Sequence, residues 1–257
     1  MTYIYKTGKG AKLTKKISYK SKKKLSFFAL ITARGGSVGI KNKNLKKIGN
    51  YSLLEMSIFA TKKVKKINQI YCSSDNKKIL NISLKNKIKI IKRPKKLSSN
   101  TSKSIDAVFH FLKVLKEKKI LIPDVIFLIQ PTSPFLEKKV ITEIIKLYTK
   151  NPEANCINSY IKVPHKFNYI NHASINQTGK VNYLNYKKRA KNPLRQNKKI
   201  LFAHGNIFSF KTKALLKQKT LTPKPIYAHI LDKKYKSIDI DDYEDLKIAQ
   251  IIHKKKI

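Results

Sequence analysis

Acids, arginine and cysteine are all scarce in this chain. Of its 257 residues only 14 are Asp or Glu, against 58 Lys and Arg, which gives a formal charge of +44. Arginine occurs only at 34, 93, 189 and 195. The two cysteines, Cys72 and Cys156, both lie in strand-like apolar settings and read as core thiols, which places the protein in a reducing cytoplasm. No apolar run approaches the roughly 20 residues of a bilayer-crossing helix. No signal-peptide hydrophobic region follows the basic N-terminus.

A charge this high raises the question of a nucleic-acid partner. The excess is almost all lysine, however, and it is scattered over every segment instead of gathered on one stripe. Lys, Asn and Ile are enriched together, and all three have A/T-rich codons, so a biased genome explains the composition without any specific nucleic acid. The shortage of arginine is the more useful signal. Where lysine serves for most cations, an arginine marks a position that needs a planar fork.

The length suits one α/β domain carrying a small insertion. Residues 1–25 read as a basic flexible tail, and 26–257 as the folded domain. Phe27 to Ile31 predicts a strand. Ser52-Leu53-Leu54-Glu55 has the spacing of a capping box and predicts a helix to about Lys65. Further strands are expected at Gln69 to Ser73, Lys87 to Lys92, Asp124 to Ile129 and Ala154 to Tyr160, with helices over about 103–118 and along the stripe from Val140 to Tyr148. Periodicity fails between about 161 and 200, an excursion suited to substrate or subunit contacts. It returns at Asn206 to Phe210, Ile226 to Leu231 and a closing helix from Asp242. Strands separated by helices imply a mainly parallel sheet covered on both faces, a three-layer α/β/α sandwich.

The first strand runs into Ala33-Arg34-Gly35-Gly36-Ser37-Val38-Gly39-Ile40-Lys41-Asn42-Lys43-Asn44, a cationic glycine loop suited to wrapping a polyphosphate. Its glycines permit positive φ and close approach of main-chain N–H groups to anionic oxygens, while Arg34 and Lys43 can grip a phosphate chain from both ends. The loop matches neither the Walker pattern nor the dinucleotide fingerprint. Arg93-Pro94 ends a strand ahead of a polar loop reaching Ser104. Gln130-Pro131-Thr132-Ser133-Pro134 follows another strand, where ligands of open α/β sheets sit. In Ser237-Ile238-Asp239-Ile240-Asp241 an extended strand would project both aspartates from one face, a hard oxygen site for Mg²⁺. Capping of the last helix is the alternative use for an acid there. His110, beside an apolar stripe, reads as structural or surface.

In order and spacing these motifs resemble the acylneuraminate cytidylyltransferases, or CMP-sialic acid synthetases, over about 27–253. The resemblance implies a Rossmann-like nucleotidyltransferase fold and transfer of CMP from CTP to the anomeric hydroxyl of a nonulosonic (sialic-acid-like) sugar, with release of pyrophosphate. It implies that Arg34 and Lys43, with Ala33, Gly35, Gly36, Ser37 and Asn44, hold the triphosphate, and that Arg93 and Ser104 meet base and ribose. Gln130 and Thr132 would face the sugar, with Lys166, Arg195 and His204 nearby, and Asp239 and Asp241 would bind Mg²⁺. It also implies a homodimer joined through 161–200. Departures stand at Val38, where lysine is usual, at Asn100 for aspartate, at Leu136 for arginine, and at Phe202-Ala203-His204-Gly205, where Arg-Pro-Asn-Gly is common. The alternatives are another acceptor (legionaminate, pseudaminate, 3-deoxy-octulosonate, or a sugar phosphate with GTP) and a catalytically weakened or basic nucleic-acid-binding relative.

Overall fold

The computed structural model describes residues 24–37, 39–191, 194, 199–232 and 237–255. Of the expected tail, 1–23 lies outside the described residues, as do Val38 and Arg195. The chain begins with β1 (Phe27–Thr32), a short hairpin of β2 (Lys47–Ile48) and β3 (Tyr51–Ser52), α1 (Leu53–Lys62), β4 (Gln69–Ser74), α2 (Lys77–Lys85) and β5 (Lys89–Lys92). It continues through α3 (Ser104–Glu117), β6 (Val125–Ile129), α4 (Lys138–Lys150) and β7 (Cys156–Lys162). An irregular stretch follows, with the hairpin β8 (Ala173–Ile175) and β9 (Val181–Tyr183) and the short α5 (Tyr186–Lys191). The remaining elements are β10 (Phe202–His204), β11 (Ile207–Lys211), α6 (Thr212–Gln218), β12 (Ile226–Ile230) and α7 (Tyr243–Lys254).

Eight strands form one sheet in the order β10-β7-β11-β6-β1-β4-β5, with β12 also paired to β7. β5, β4, β1 and β6 run parallel, and β11 enters antiparallel to β6. The sheet is therefore mixed and mainly parallel, as the alternation of elements predicts. Leaving β1, the chain first adds β4 and β5 on one side and then crosses to β6 on the other. The strand order thus reverses beside β1, which opens a crevice at the strands' C-terminal ends.

Alternation along β1 and β6 divides the core into two layers. Phe27, Ala29 and Ile31, with Val125, Phe127 and Ile129, pack with α1 and α4. Phe28, Leu30, Ile126 and Leu128 turn the other way, onto Phe111 and Leu115 of α3 and Leu215 of α6. Both faces are covered, which is why these strands read as unbroken apolar runs. Leu136 is buried in the first layer, so the position where the resemblance puts an arginine is here part of the core. Cys72 and Cys156 are buried free thiols, raised by burial to about 11 and about 12 respectively.

A third, smaller cluster joins Ile40, Ile48 and Leu53 to Ile240, Leu246 and Ala249. It fixes α7 against the glycine loop. No helix among the described residues is long and apolar enough to cross a membrane.

Two expectations need correcting. Residues 237–241 are not a strand: none of them joins a sheet, and Ile240 N–H instead donates to the Thr132 carbonyl at 2.8 Å. An extended, unpaired backbone still alternates, so Ile240 is buried while Asp239 and Asp241 face out. Nor is positive φ the property that Gly35, Gly36 and Gly39 supply. Among the described glycines it occurs at Gly49 and Gly179, and the loop's left-handed residue is Asn42, at φ 57°. Asparagine tolerates that conformation better than most side chains.

The capping box at the head of α1 forms as expected. Ser52 N–H and Oγ–H both donate to Glu55 Oε2, at 2.8 and 2.6 Å, and Glu55 N–H donates back to Ser52 Oγ. Ser52→Ala should cost about 1 kcal/mol. In a domain of this size that lowers Tm by about 2–4 °C in a calorimetric scan.

Candidate functional site

The glycine loop is held from beneath. Gly35 N–H donates to Asp75 Oδ1 at 2.9 Å, Asn44 Nδ2 donates to the Arg34 carbonyl at 2.9 Å, and Ala33 N–H donates to the Ser73 carbonyl at 3.1 Å. These bonds explain Asp75, which sequence reading left without a role. They also correct two expectations. Ala33 is fully buried and its amide, like that of Gly35, is already engaged, so neither offers a free N–H to a phosphate. A side chain on Gly35 would collide with Asn76 at 2.8 Å, whereas Gly36 has open space around it.

Gly39 is needed for a different reason. A Cβ there would lie 2.3 Å from the Asp241 carbonyl oxygen. The loop therefore presses its backbone directly against the acidic segment. Lys43 adds the second tie. Its ammonium donates to the Ile240 carbonyl at 2.6 Å and to Asp241 Oδ1 at 3.0 Å. The Lys43 side chain is 14% exposed and that of Asp241 78%.

Around this junction lies a cleft of about 480 Å³ lined by Thr32, Arg34, Ser37, Gly39, Lys43, Asn44, Arg93, Leu97, Asn100, Ser102, Lys103, Ser104, Gln130, Pro131, Thr132, Asp239 and Asp241. It sits over the ends of β1, β5 and β6, where the strand order reverses. Of the residues proposed from sequence, Arg34, Ser37, Lys43, Asn44, Arg93, Ser104, Gln130, Thr132, Asp239 and Asp241 meet here. Arg34 crosses to the serine-rich loop, its Nη1 donating to the Ser99 carbonyl at 2.6 Å. Lys103 is a further cation that sequence reading passed over. It precedes α3 in a polar loop whose neighbours had been singled out, and in so lysine-rich a chain nothing in its type marks it.

Arg93 is 7% exposed, and its Nε has no hydrogen-bond partner among the described residues. Burial pulls its pKa downward, partly countered by Asp75. A buried guanidinium on a cleft wall with an unmet donor can take an acceptor from water or a ligand.

Lys166 lies outside the cleft lining, its ammonium 4.8 Å over the Phe167 ring. His204 lies outside it too. It stacks on Phe208 with centroids 3.8 Å apart and meets Tyr160 edge-on. Its pKa is lowered by burial, with backbone groups at Gly205 and Ile207 and the Asp239 charge opposing. His110 is lowered as well, first by burial and then by Arg93.

Among the described residues no group of three or more His, Cys, Asp or Glu is placed to hold a metal. Two carboxylates on the wall of a phosphate-sized cleft nevertheless fit Mg²⁺, which is commonly bound by one or two carboxylates plus substrate phosphates and waters. The donor set suits a metal shared with a ligand, not a closed protein cage.

Two predictions follow from this geometry. Gly39→Ala forces the loop off the acidic segment, so the variant should keep its far-ultraviolet circular dichroism but lose about tenfold, or about 1.4 kcal/mol, in affinity for inorganic triphosphate by calorimetric titration. For the histidines the sign is clear. With folded pKa values below the unfolded 6.5 or so, the unfolded chain binds more protons on acidification, so stability is full above about pH 6.5 and declines below it. Thermal melts at pH 7.5 and 5.5 should show this decline, and it should be smaller in His204→Asn.

The family model described as cytidylyltransferase matches residues 28–255. N-acylneuraminate cytidylyltransferase A of Danio rerio is 36% identical over 133 residues, 52% of this chain and 30% of that protein. The N-acylneuraminate cytidylyltransferase of Escherichia coli is 27% identical over 228 residues, 89% of this chain and 52% of its own length. The chain thus spans between 30% and 52% of the length of these two relatives. Post-translational flagellin modification protein B of Campylobacter coli is 29% identical over 230 residues, covering 88% of this chain and 94% of that protein. Among solved structures, CMP:2-keto-3-deoxy-manno-octonic acid synthetase complexed with CTP superposes at TM-score 0.67 and 11% identity, over 90% of this chain and 100% of that one. At that identity the likeness speaks for the nucleotidyltransferase fold alone.

Proposed function

This chain belongs to the cytidylyltransferase family, and on that premise we propose that it transfers CMP from CTP to the anomeric hydroxyl of a nonulosonic, sialic-acid-like sugar. One observation carries the reading: a single cleft at the strand ends joins Arg34, Lys43, Arg93 and Lys103 to Asp239 and Asp241. Its volume of about 480 Å³ falls in the range of small-molecule pockets, about 300–1,000 Å³. Four cations and two acids lining one cleft suit a triphosphate whose charge is met partly by side chains and partly by a divalent ion.

In this reading Arg93 and Ser104 receive the base and ribose, Arg34, Ser37 and Lys43 the triphosphate, and Gln130 and Thr132 the sugar. The sugar hydroxyl oxygen bonds to the α-phosphorus as the bond to the bridging β-phosphate oxygen breaks, and pyrophosphate leaves. The hydroxyl proton passes to Asp239. Asp239 and Asp241 would hold Mg²⁺, which would supply positive charge against the phosphates. Positioning and charge neutralisation are what in-line attack chiefly requires.

The same site could serve a different acceptor. Legionaminate, pseudaminate and 3-deoxy-octulosonate are candidates beside sialic acid, and one relative, matched along nearly its whole length, is named for flagellin modification. Exposed apolar side chains on the excursion, Ile175, Leu184 and Tyr186 at 66–69%, support a homodimer joined through 161–200. We place the protein in the cytoplasm, a reading that two buried free thiols support.

Purified protein with Mg²⁺, CTP or GTP, and a panel of α-keto acid sugars should release pyrophosphate from CTP with at least one nonulosonic acid. Silence across the panel would overturn the reading. Asp239→Asn should lose at least 100-fold in kcat, on the scale of removing a group that stabilises the transition state, roughly 10²–10³. Arg93→Met should instead raise KM for CTP by about tenfold or more, the scale of a lost charge-assisted hydrogen bond.

A further inference from the structure

We propose that Lys43 is the counter-ion that keeps the metal site closed until the nucleotide arrives, so that metal and triphosphate bind as a pair. The inference rests on the reading of Asp239 and Asp241 given above. It goes further in assigning Lys43 a role toward the protein and not only toward phosphate.

Three observations support it. The Lys43 ammonium is 3.0 Å from Asp241 Oδ1, so the carboxylate that would meet a divalent ion already carries a positive partner. The same ammonium donates to the Ile240 carbonyl at 2.6 Å, between the two aspartates in sequence. The loop bearing Lys43 can approach only because Gly39 has no side chain, a Cβ there meeting the Asp241 carbonyl at 2.3 Å. The ammonium is thus seated on the acidic segment by two acceptors, while loop and segment are in backbone contact.

A dication entering this site alone would share Asp241 with a fixed positive charge and be repelled by it. A triphosphate changes the balance, because its oxygens offer Lys43 another acceptor and free Asp241 for the metal. Conversely, metal-free CTP can draw Lys43 away only by leaving Asp241 without its partner. Each ligand relieves the cost imposed on the other, which is positive coupling in the thermodynamic sense. Lys43 is therefore a positioning residue for Asp241 before the nucleotide binds.

The test uses Mn²⁺ alone, without nucleotide or sugar, and reads free Mn²⁺ by electron paramagnetic resonance. Lys43→Gln keeps a donor for the Ile240 carbonyl but removes the charge, and Lys43→Met removes both. Relative to wild type, Lys43→Gln should bind Mn²⁺ about fivefold tighter or more, the scale of an exposed charge pair acting on a doubly charged ion. Lys43→Met should do the same if it folds, which its circular dichroism will report. The double variant Lys43→Gln, Asp241→Asn should lose the gain. Equal or weaker binding by Lys43→Gln overturns the proposal, and so does a gain that survives in the double variant. Because no sugar and no CTP are present, neither result depends on the acceptor. Pyrophosphate release by wild type in the sugar panel judges the enzymatic reading separately.

Discussion

The site depends on one junction: the segment Asp239–Asp241 pressed against the loop Gly39–Lys43, 198 residues away in sequence at the Lys43–Asp241 pair. Apolar contact supplies the adhesion. Ile40 from the loop and Ile240 from the segment are both fully buried in one cluster with Leu53, Leu246 and Ala249. Burying an isoleucine side chain contributes about 1.5–3 kcal/mol, so the pair outweighs the single, largely exposed Lys43–Asp241 contact, for which about 1 kcal/mol is an upper figure. Polar groups then set the register. Ile240 N–H bonds to the Thr132 carbonyl, and Asp242 caps α7 by accepting from Asp245 N–H at 2.9 Å. Capping and site-building are thus divided between neighbours. Asp242 serves the helix, which leaves Asp239 and Asp241 to the cleft.

That division bears on the competing uses of an acid cluster. From sequence alone, an aspartate before a helix is as well explained by its N-terminus as by a metal. The structure shows which aspartate caps the helix, because the capping box is complete with Asp242 and Asp245. Asp239 has no place in the box, and Asp241 enters it only through its backbone N–H, which donates to Asp245 at 3.0 Å. Their side chains line the cleft at the point where strand order reverses, Asp241 in direct contact with Lys43.

Much of this was legible in the sequence because the signals were local. Apolar runs such as Val125–Ile129 and the capping box at Ser52 announce their elements through periodicity and side-chain chemistry that act within a few residues. What was not legible depends on distant partners. Nothing in Gly39 itself says that its missing side chain makes room for the Asp241 carbonyl, and nothing in Asp75 says that it anchors the Gly35 amide. The short strands β8, β9 and β10 were also hidden. The residues of β8 and β9 are exposed on every side, so no buried face imposes an alternating pattern. The segment 237–241 was misread for a related reason: its alternation is real, but the cause is Ile240 entering a side cluster and not pairing within the sheet.

The arginines show how composition can inform a site when it is read by contrast. In a chain with 58 cations, charge alone identifies nothing. Of the described arginines, Arg34 and Arg93 line the cleft, whereas Arg189 lies over the Tyr183 ring at 4.4 Å and donates to Asn171 at 3.0 Å. Arg34 reaches a backbone carbonyl with one Nη, Arg93 is a buried donor on the cleft wall, and Arg189 lays its planar group on an aromatic face. Lys43 and Lys103, by contrast, act as point charges at the cleft, where position and not geometry of the head group decides. In a molecule so uniformly basic, two of the four arginines thus stand on the wall of one cleft.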